Sequence, residues 1–264
     1  MAAVEYEKDG PVAIITLNRP DKMNALDYDE NELLKAQFRR YAEDDESRVL
    51  VVTGAGDQAF SAGADMKTFS LAYATKPAPF FRDNFVNGEG FGGITRNLKI
   101  NKPIIGAING YSIGGGFELA LAMDIRFCSP NAEFACQDVL WGMHPCDGAC
   151  VRLPKIVGLG NAMEIILSGE RIGAERALEM GLVNRIIPQD KLLPETIAYA
   201  RHLATRGPLA QKYVKDVTYR ARGLSLTEAL RLELRSFSDT AHSEDFVEGV
   251  RAFQGKREPQ FQGK

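Results

Sequence analysis

One tryptophan, three histidines and four cysteines are spread over 264 residues. No apolar run approaches the ~20 residues that cross a bilayer, and the N-terminus has no apolar signal region. The cysteines, irregularly spaced in a chain this long, make no disulfide framework. They read as reduced thiols in a cytoplasmic protein, although a removed organellar transit peptide would leave no trace. An excess of positive charge is also missing. The formal net charge is −3, so no overall basic field draws nucleic acid or anionic lipid. There is no Gly-Lys-Ser/Thr of a phosphate-binding loop, no low-complexity linker and no internal repeat. What is there is an ordinary globular composition, 45% hydrophobic and 25% charged. The length suits one large domain, or a domain with a helical appendage.

The stretch that carries chemistry runs from Asn109 to Ala120. Upstream, Pro103 to Ile108 is a short apolar run bounded by Pro and Gly, which reads as a buried strand. Downstream, Phe117 to Met123 is a run of helix formers broken by one carboxylate. Gly114, Gly115 and Gly116 lie between the two. Glycine lets the backbone N–H approach a ligand, and a helix start presents unpaired N–H groups. Tight strand–helix packing would also explain the glycines. Glu118 stands one turn further in, where the pattern asks for a core residue. A buried carboxylate is costly unless it is paired or used, and beside three glycines a functional role is the stronger reading. The Gly110–Gly114 spacing does not match a dinucleotide fingerprint, and no acidic residue ends a following strand at the required distance.

Along the chain, Val4 to Glu7 and Val12 to Leu17 predict a hairpin across Asp9-Gly10. A helix is predicted from about Tyr28 to Glu43, a buried strand from Arg48 to Thr53, and from Gly54 to Asp65 a loop with no element of its own. Alternating strand and helix argue for α/β with a parallel sheet. Lys67 to Lys99 reads as short helices around an aromatic-lined loop with Phe69, Leu71, Phe80, Phe81, Phe85, Phe91 and Leu98. Strand-like pieces follow at Ile125–Cys128, Glu133–Ala135 and Asn184–Ile187, with short helices between. After Pro188 the pattern is purely helical, and this is the one visible internal boundary.

Five landmarks resemble one family. Asn109-Gly110 with Gly114-Gly115-Gly116 and Glu118-Leu119, after Lys102-Pro103, is similar to the signature of the crotonase (enoyl-CoA hydratase/isomerase) superfamily. Phe60 to Met66, about fifty residues earlier, resembles that family's first thioester-binding loop. Arg19-Pro20 with Asn24-Ala25-Leu26, Ala177 to Val183, and Phe253 to Phe261 match further landmarks in register. The resemblance implies a ββα spiral core over 1–190 and a C-terminal helical region over 191–264 that forms trimers, often stacked as hexamers. It also implies acyl-CoA thioester substrates, as in fatty acid metabolism, and no redox cofactor or metal.

The resemblance further assigns the backbone N–H groups of Ala64 and Gly115 as an oxyanion hole for a thioester enolate. It matches Glu118 to the carboxylate that takes the proton of a water. Asp138 falls where hydratases carry a second Glu. An Asp there is shorter by one methylene, ~1.5 Å of reach, and acid–base geometry tolerates little such error. A loop cap is the alternative role for Asp138. Coenzyme A contacts are implied around Met23, Ala25, Leu26, Ala62, Asp65, Met66, Gly110 and Gly114, with Trp141 at the pocket. Lys256 is implied to reach a phosphate, across a subunit boundary in one reading and as a solvated tail charge in another. His144, Cys146 and Cys150 cluster with Asp147, but the spacing fits no standard zinc pattern and only Cys136 is near as a fourth ligand. They are read as lining or backing the acyl pocket. The expected activity is hydration or dehydration of a 2-enoyl-CoA. An isomerase or hydrolase on the same scaffold is the alternative, and a non-catalytic RNA-binding relative a third. Tyr28 to Glu43 mixes Lys35, Arg39 and Arg40 with four acids and shows no basic comb.

Overall fold

A computed structural model describes residues 2–70, 75–97 and 99–264. The sequence readings at Leu71 and Leu98 lie outside the described residues, as does the side chain of Phe85. Two sheets organise the chain. Strands β1 (Val4–Asp9), β2 (Val12–Leu17), β3 (Val49–Gly54), β5 (Ile104–Ile108), β7 (Ile125–Cys128) and β10 (Arg185–Ile186) form one, in that order. Strands β4 (Ala59–Ser61), β6 (Tyr111–Ile113), β8 (Glu133–Ala135) and β9 (Ile172–Gly173) form the other. All pairings are parallel except β1–β2 and β8–β9. Successive passes of the chain thus give one strand to each sheet, which is the ββα spiral of a crotonase-like α/β fold.

The predicted hairpin forms through Gly10, whose φ of 59° no β-branched residue would accept readily. Helix α1 (Tyr28–Glu43) starts at a capping box: Asp27 accepts from the Asp29 and Glu30 N–H groups, and Glu30 takes the Asp27 N–H at 3.0 Å. It buries Leu34, Phe38 and Tyr41. All six residues of β3 are buried, as a strand covered on both faces requires. One cluster, including Leu50, Val52, Phe60, Phe117 and Phe134, fills the space between the sheets. The other, including Val49, Val51, Ile105 and Phe127, lies beneath helix Gln189–Ala204. That helix follows the boundary at Pro188 yet packs on the sheet.

Three strands, β4, β6 and the two-residue β9, lie where the sequence predicts none. The stretch from Gly54 to Asp65 is not a loop throughout, because β4 forms at Ala59–Ser61 by pairing with β6. None has more than three residues, too few for a periodic signal, and each exists through its neighbour. Between Met66 and Gly93 the described residues form short helical pieces, at Met66–Ser70, at Ala78–Phe81 running directly into Arg82–Val86, and at Phe91–Gly93.

Candidate active site

The C-terminal ends of the parallel strands β4, β6 and β8 converge. They deliver Ala62 to Ala64, Gly114-Gly115, and Gln137-Asp138. A parallel bridge joins Leu26 to Ala64: the Leu26 N–H donates to Gly63 O and the Asp65 N–H to Leu26 O, each at 2.8 Å. Alternation in an extended segment turns the Ala64 N–H away from that bridge. Gly115 opens helix α2 (Gly115–Ala122), so its N–H has no acceptor within the helix. The two bends abut, since a Cβ at Gly63 would fall 2.7 Å from Gly115 N. Gly114 has φ 53° and ψ −123°, a conformation for glycine alone. Gly116 has a packing reason as well, because a Cβ there would meet Ser61 O at 2.2 Å.

Glu118 lies in the first turn of α2 and is 3% exposed. Its Oε1 accepts from the N–H groups of Asp147 at 2.7 Å and Ala149 at 3.0 Å, at the start of helix α3 (Ala149–Val157). Burial pushes its carboxyl up to about 8; the backbone N–H of Ala149 opposes this, and the negative charges of Asp147 and Asp138 add to it. Asp138 sits half-buried in a short turn, Gln137–Trp141, that no side chain caps. Its Oδ2 is buried and without a hydrogen-bond partner among the described residues. It lies 4.0 Å from where a Cβ of Gly114 would be, over the start of α2. Burial raises its proton affinity and the nearby His144 lowers it.

A cavity of about 260 Å³ joins these groups. Met23, Ala62, Ala64, Met66, Gly114, Gly115, Glu118, Asp138 and Trp141 border it, together with His144, Cys146 and Asp147. Five of the residues expected to bind do not border it, nor does Cys150. Ala25 and Leu26 are buried beside the bridge, and Asp65 is held in it through its N–H. Gly110 is buried where a side chain would strike Gln58 O, and Lys256 is exposed in the C-terminal segment. Sequence reasoning did not place Tyr111, Ile113, Gln137 and Arg171 in the cavity; Phe91 and Met143 border it too, within the aromatic-rich segment and the Trp141–Cys150 loop that pointed to a pocket. The Gly92-Gly93 pair hinted at the turn that carries Phe91; Arg171 had no local signal and arrives through the β8–β9 pairing, with its guanidinium 4.8 Å over Tyr111. Among the described residues no group of three or more His, Cys, Asp or Glu side chains is arranged to hold a metal. Lys35 and Arg39 of α1 are taken up in ion pairs with Glu32 and Glu89, both at 2.7 Å.

Comparison with known proteins identifies the family. Residues 7–264 match the family described as enoyl-CoA hydratase/isomerase. A carnitinyl-CoA dehydratase of Salmonella arizonae is 39% identical over 99% of this chain and 98% of its own length. One from Escherichia coli is 38% identical over 99% of both chains. Among solved structures, an enoyl-CoA hydratase subunit from Geobacillus kaustophilus superposes with a TM-score of 0.89 at 35% identity, over 100% of this chain and 99% of that one. An enoyl-CoA hydratase from Bacillus anthracis superposes with a TM-score of 0.89 at 30% identity, over 100% of both. The chain belongs to the enoyl-CoA hydratase/isomerase family and is an enzyme of its lyase type.

Proposed function

We propose that this enzyme interconverts a 3-hydroxyacyl-CoA and its 2-enoyl-CoA, with Glu118 and Asp138 as the acid–base pair. The observation that carries this reading is the pair itself: two carboxylates of unequal proton affinity border one cavity beside the Ala64 and Gly115 bends. The thioester oxygen accepts from the N–H groups of Ala64 and Gly115, and loss of one such donor costs ~3–4 kcal/mol of barrier. With one proton on the pair, that proton rests on Glu118. This is the state from which dehydration starts. Asp138 removes the α-proton, charge passes to the thioester oxygen, and Glu118 protonates the departing hydroxyl as the C–O bond breaks. Hydration is the reverse: Glu118 takes a proton from water as it adds to the β-carbon, and Asp138 returns one to the α-carbon. The chemistry is acid–base throughout and needs no group beyond the coenzyme A of the substrate.

The relatives named carnitinyl-CoA dehydratase support dehydration as the physiological direction and a substituted acyl group as the substrate. Met23, Ala62 and Met66 are assigned to the pantetheine side and Trp141 to the acyl side. Lys256 is assigned to a coenzyme A phosphate on a neighbouring subunit. Assembly as trimers or hexamers belongs to the same reading, because helices Pro208–Ala221 and Leu226–Ala241 bury no residue within one chain. A cytoplasmic setting accords with the bacterial relatives and four free cysteines. The test is a panel of carnitinyl-CoA, crotonyl-CoA and branched or aryl enoyl-CoAs, followed through the conjugated enoyl-thioester absorbance. Turnover that Glu118→Gln abolishes is expected. Retention of full activity by Asp138→Ala would favour an isomerase that works with Glu118 alone.

A further inference from the structure

The reaction as described uses the backbone of Asp147 and leaves its side chain without a role. Asp147 is 4% exposed. Its N–H holds Glu118 Oε1 at 2.7 Å, while its Oδ1 accepts from the Phe91 N–H at 3.0 Å and the Thr95 hydroxyl at 2.8 Å. Arg96 Nε stands 3.6 Å from the same oxygen, and the Cys146 thiol donates to Oδ2 at 3.5 Å. Phe91 in turn packs on Gly115, where a Cβ would lie 2.9 Å from its ring. One residue therefore touches the acid and the cavity wall, and through Phe91 reaches the bend that presents the Gly115 amide.

We propose that Asp147 is a positioning residue, whose side chain locks the Gly90–Thr95 segment against the site and sets a carboxylate beside Glu118. The inference rests on the hydratase reading above. Other charged or titratable groups also face Glu118. Asp138 comes from the Gln137–Trp141 turn, Cys136 from the end of β8, Cys146 from the loop, and Cys150 and Arg152 from α3. Among the carboxylates, Asp147 acts on Glu118 more strongly than Asp138 does. Like charges at short range in a dry site disfavour joint ionisation. Arg96 offsets part of this charge, so neutralising Asp147 also leaves Arg96 uncompensated, which acts in the same direction.

Three variants separate the two roles. Asp147→Asn keeps an acceptor for Phe91 and Thr95 but drops the charge; Asp147→Ala drops both; Thr95→Val removes one tie and keeps the charge. Asp147→Ala is expected to raise KM about tenfold and to move the alkaline limb of kcat/KM to lower pH. Asp147→Asn is expected to hold KM within about twofold of wild type while the limb stays displaced. Thr95→Val should raise KM and leave the limb in place. A carboxyl infrared titration, with Glu118→Gln as the blank, reads the Glu118 midpoint without turnover and should fall in Asp147→Asn. An unmoved midpoint and limb in Asp147→Asn, or an unchanged KM in both Asp147→Ala and Thr95→Val, overturns the proposal. Should Asp147→Ala not fold, the other two variants decide. If wild type acts on no enoyl-CoA, the functional reading falls, and the infrared midpoint still decides the electrostatic role.

Discussion

Glu118 is a buried acid that folding makes harder to ionise, and two consequences follow at the scale of the residue. The first is a bell-shaped pH profile. The pair works with one proton, so kcat/KM falls on the alkaline side as Glu118 loses its proton near pH 8. It falls on the acid side as Asp138 gains one, at a pH that burial raises from the usual aspartate value. The equilibrium is not proton-linked, so hydration and dehydration should trace the same bell; steady-state kinetics in both directions checks this. The second concerns stability. The carboxyl titrates near 8 in the fold and near 4.5 in the unfolded chain. Between those values the native state binds more protons, so wild type loses stability as pH rises through the window. Glu118→Gln keeps an acceptor for Asp147 and Ala149 and loses no proton. It is expected to be inactive yet to melt higher than wild type at pH 8, and to match it near pH 4. One kcal/mol corresponds to ~2–4 °C in a protein of this size, within reach of thermal melts.

Elements set the two amides side by side. Gly63 has φ 86° and a Cβ there would fall 2.7 Å from Gly115 N, so Gly63→Ala is strained by backbone and by contact together. It is expected to lower kcat by ~10²–10³-fold, the size of a lost oxyanion donor, with substrate binding less affected. Gly10→Ala has a positive φ but meets nothing within 4 Å, and serves as a control with kcat unchanged. The helix starts and the buried strands of this layout were legible beforehand. The apolar face of Tyr28 to Glu43 reads as α1, and Pro103 to Ile108 reads as β5 from composition alone. Strands β4 and β6 were not legible, because three residues carry no period and their stability comes from each other.

At the scale of the molecule, the C-terminal helices expose a row of large apolar side chains. Leu226 is 76% exposed, Leu234 69%, Phe237 56% and Phe253 86%. A cleft of about 720 Å³ runs between Val214, Leu230, Leu234, Phe237 and Phe246. Contiguous apolar surface of this kind marks an interaction face. Under the trimer reading, Leu234→Glu is expected to lower the mass measured by sedimentation to that of the monomer. It should weaken coenzyme A binding as well if Lys256 acts across the boundary. A wild-type protein that sediments as a monomer at micromolar concentration would remove that reading.

The order of residues was enough to determine the family signature, the alternation of strand and helix, and the suspicion attached to Glu118. Those depend on neighbours a few positions away: glycines before a helix, a carboxylate in an apolar turn. Only the tertiary structure decided that Ala64, Gly115, Glu118 and Asp138 border one cavity, and that Asp147 ties Phe91 to the acid. The reason is physical. Parallel pairing stacks the ends of β4, β6 and β8, although these strands are separated in the chain by whole passes of the spiral. Proton affinity, likewise, is set by burial and by charges that arrive from different passes, and no local pattern encodes it.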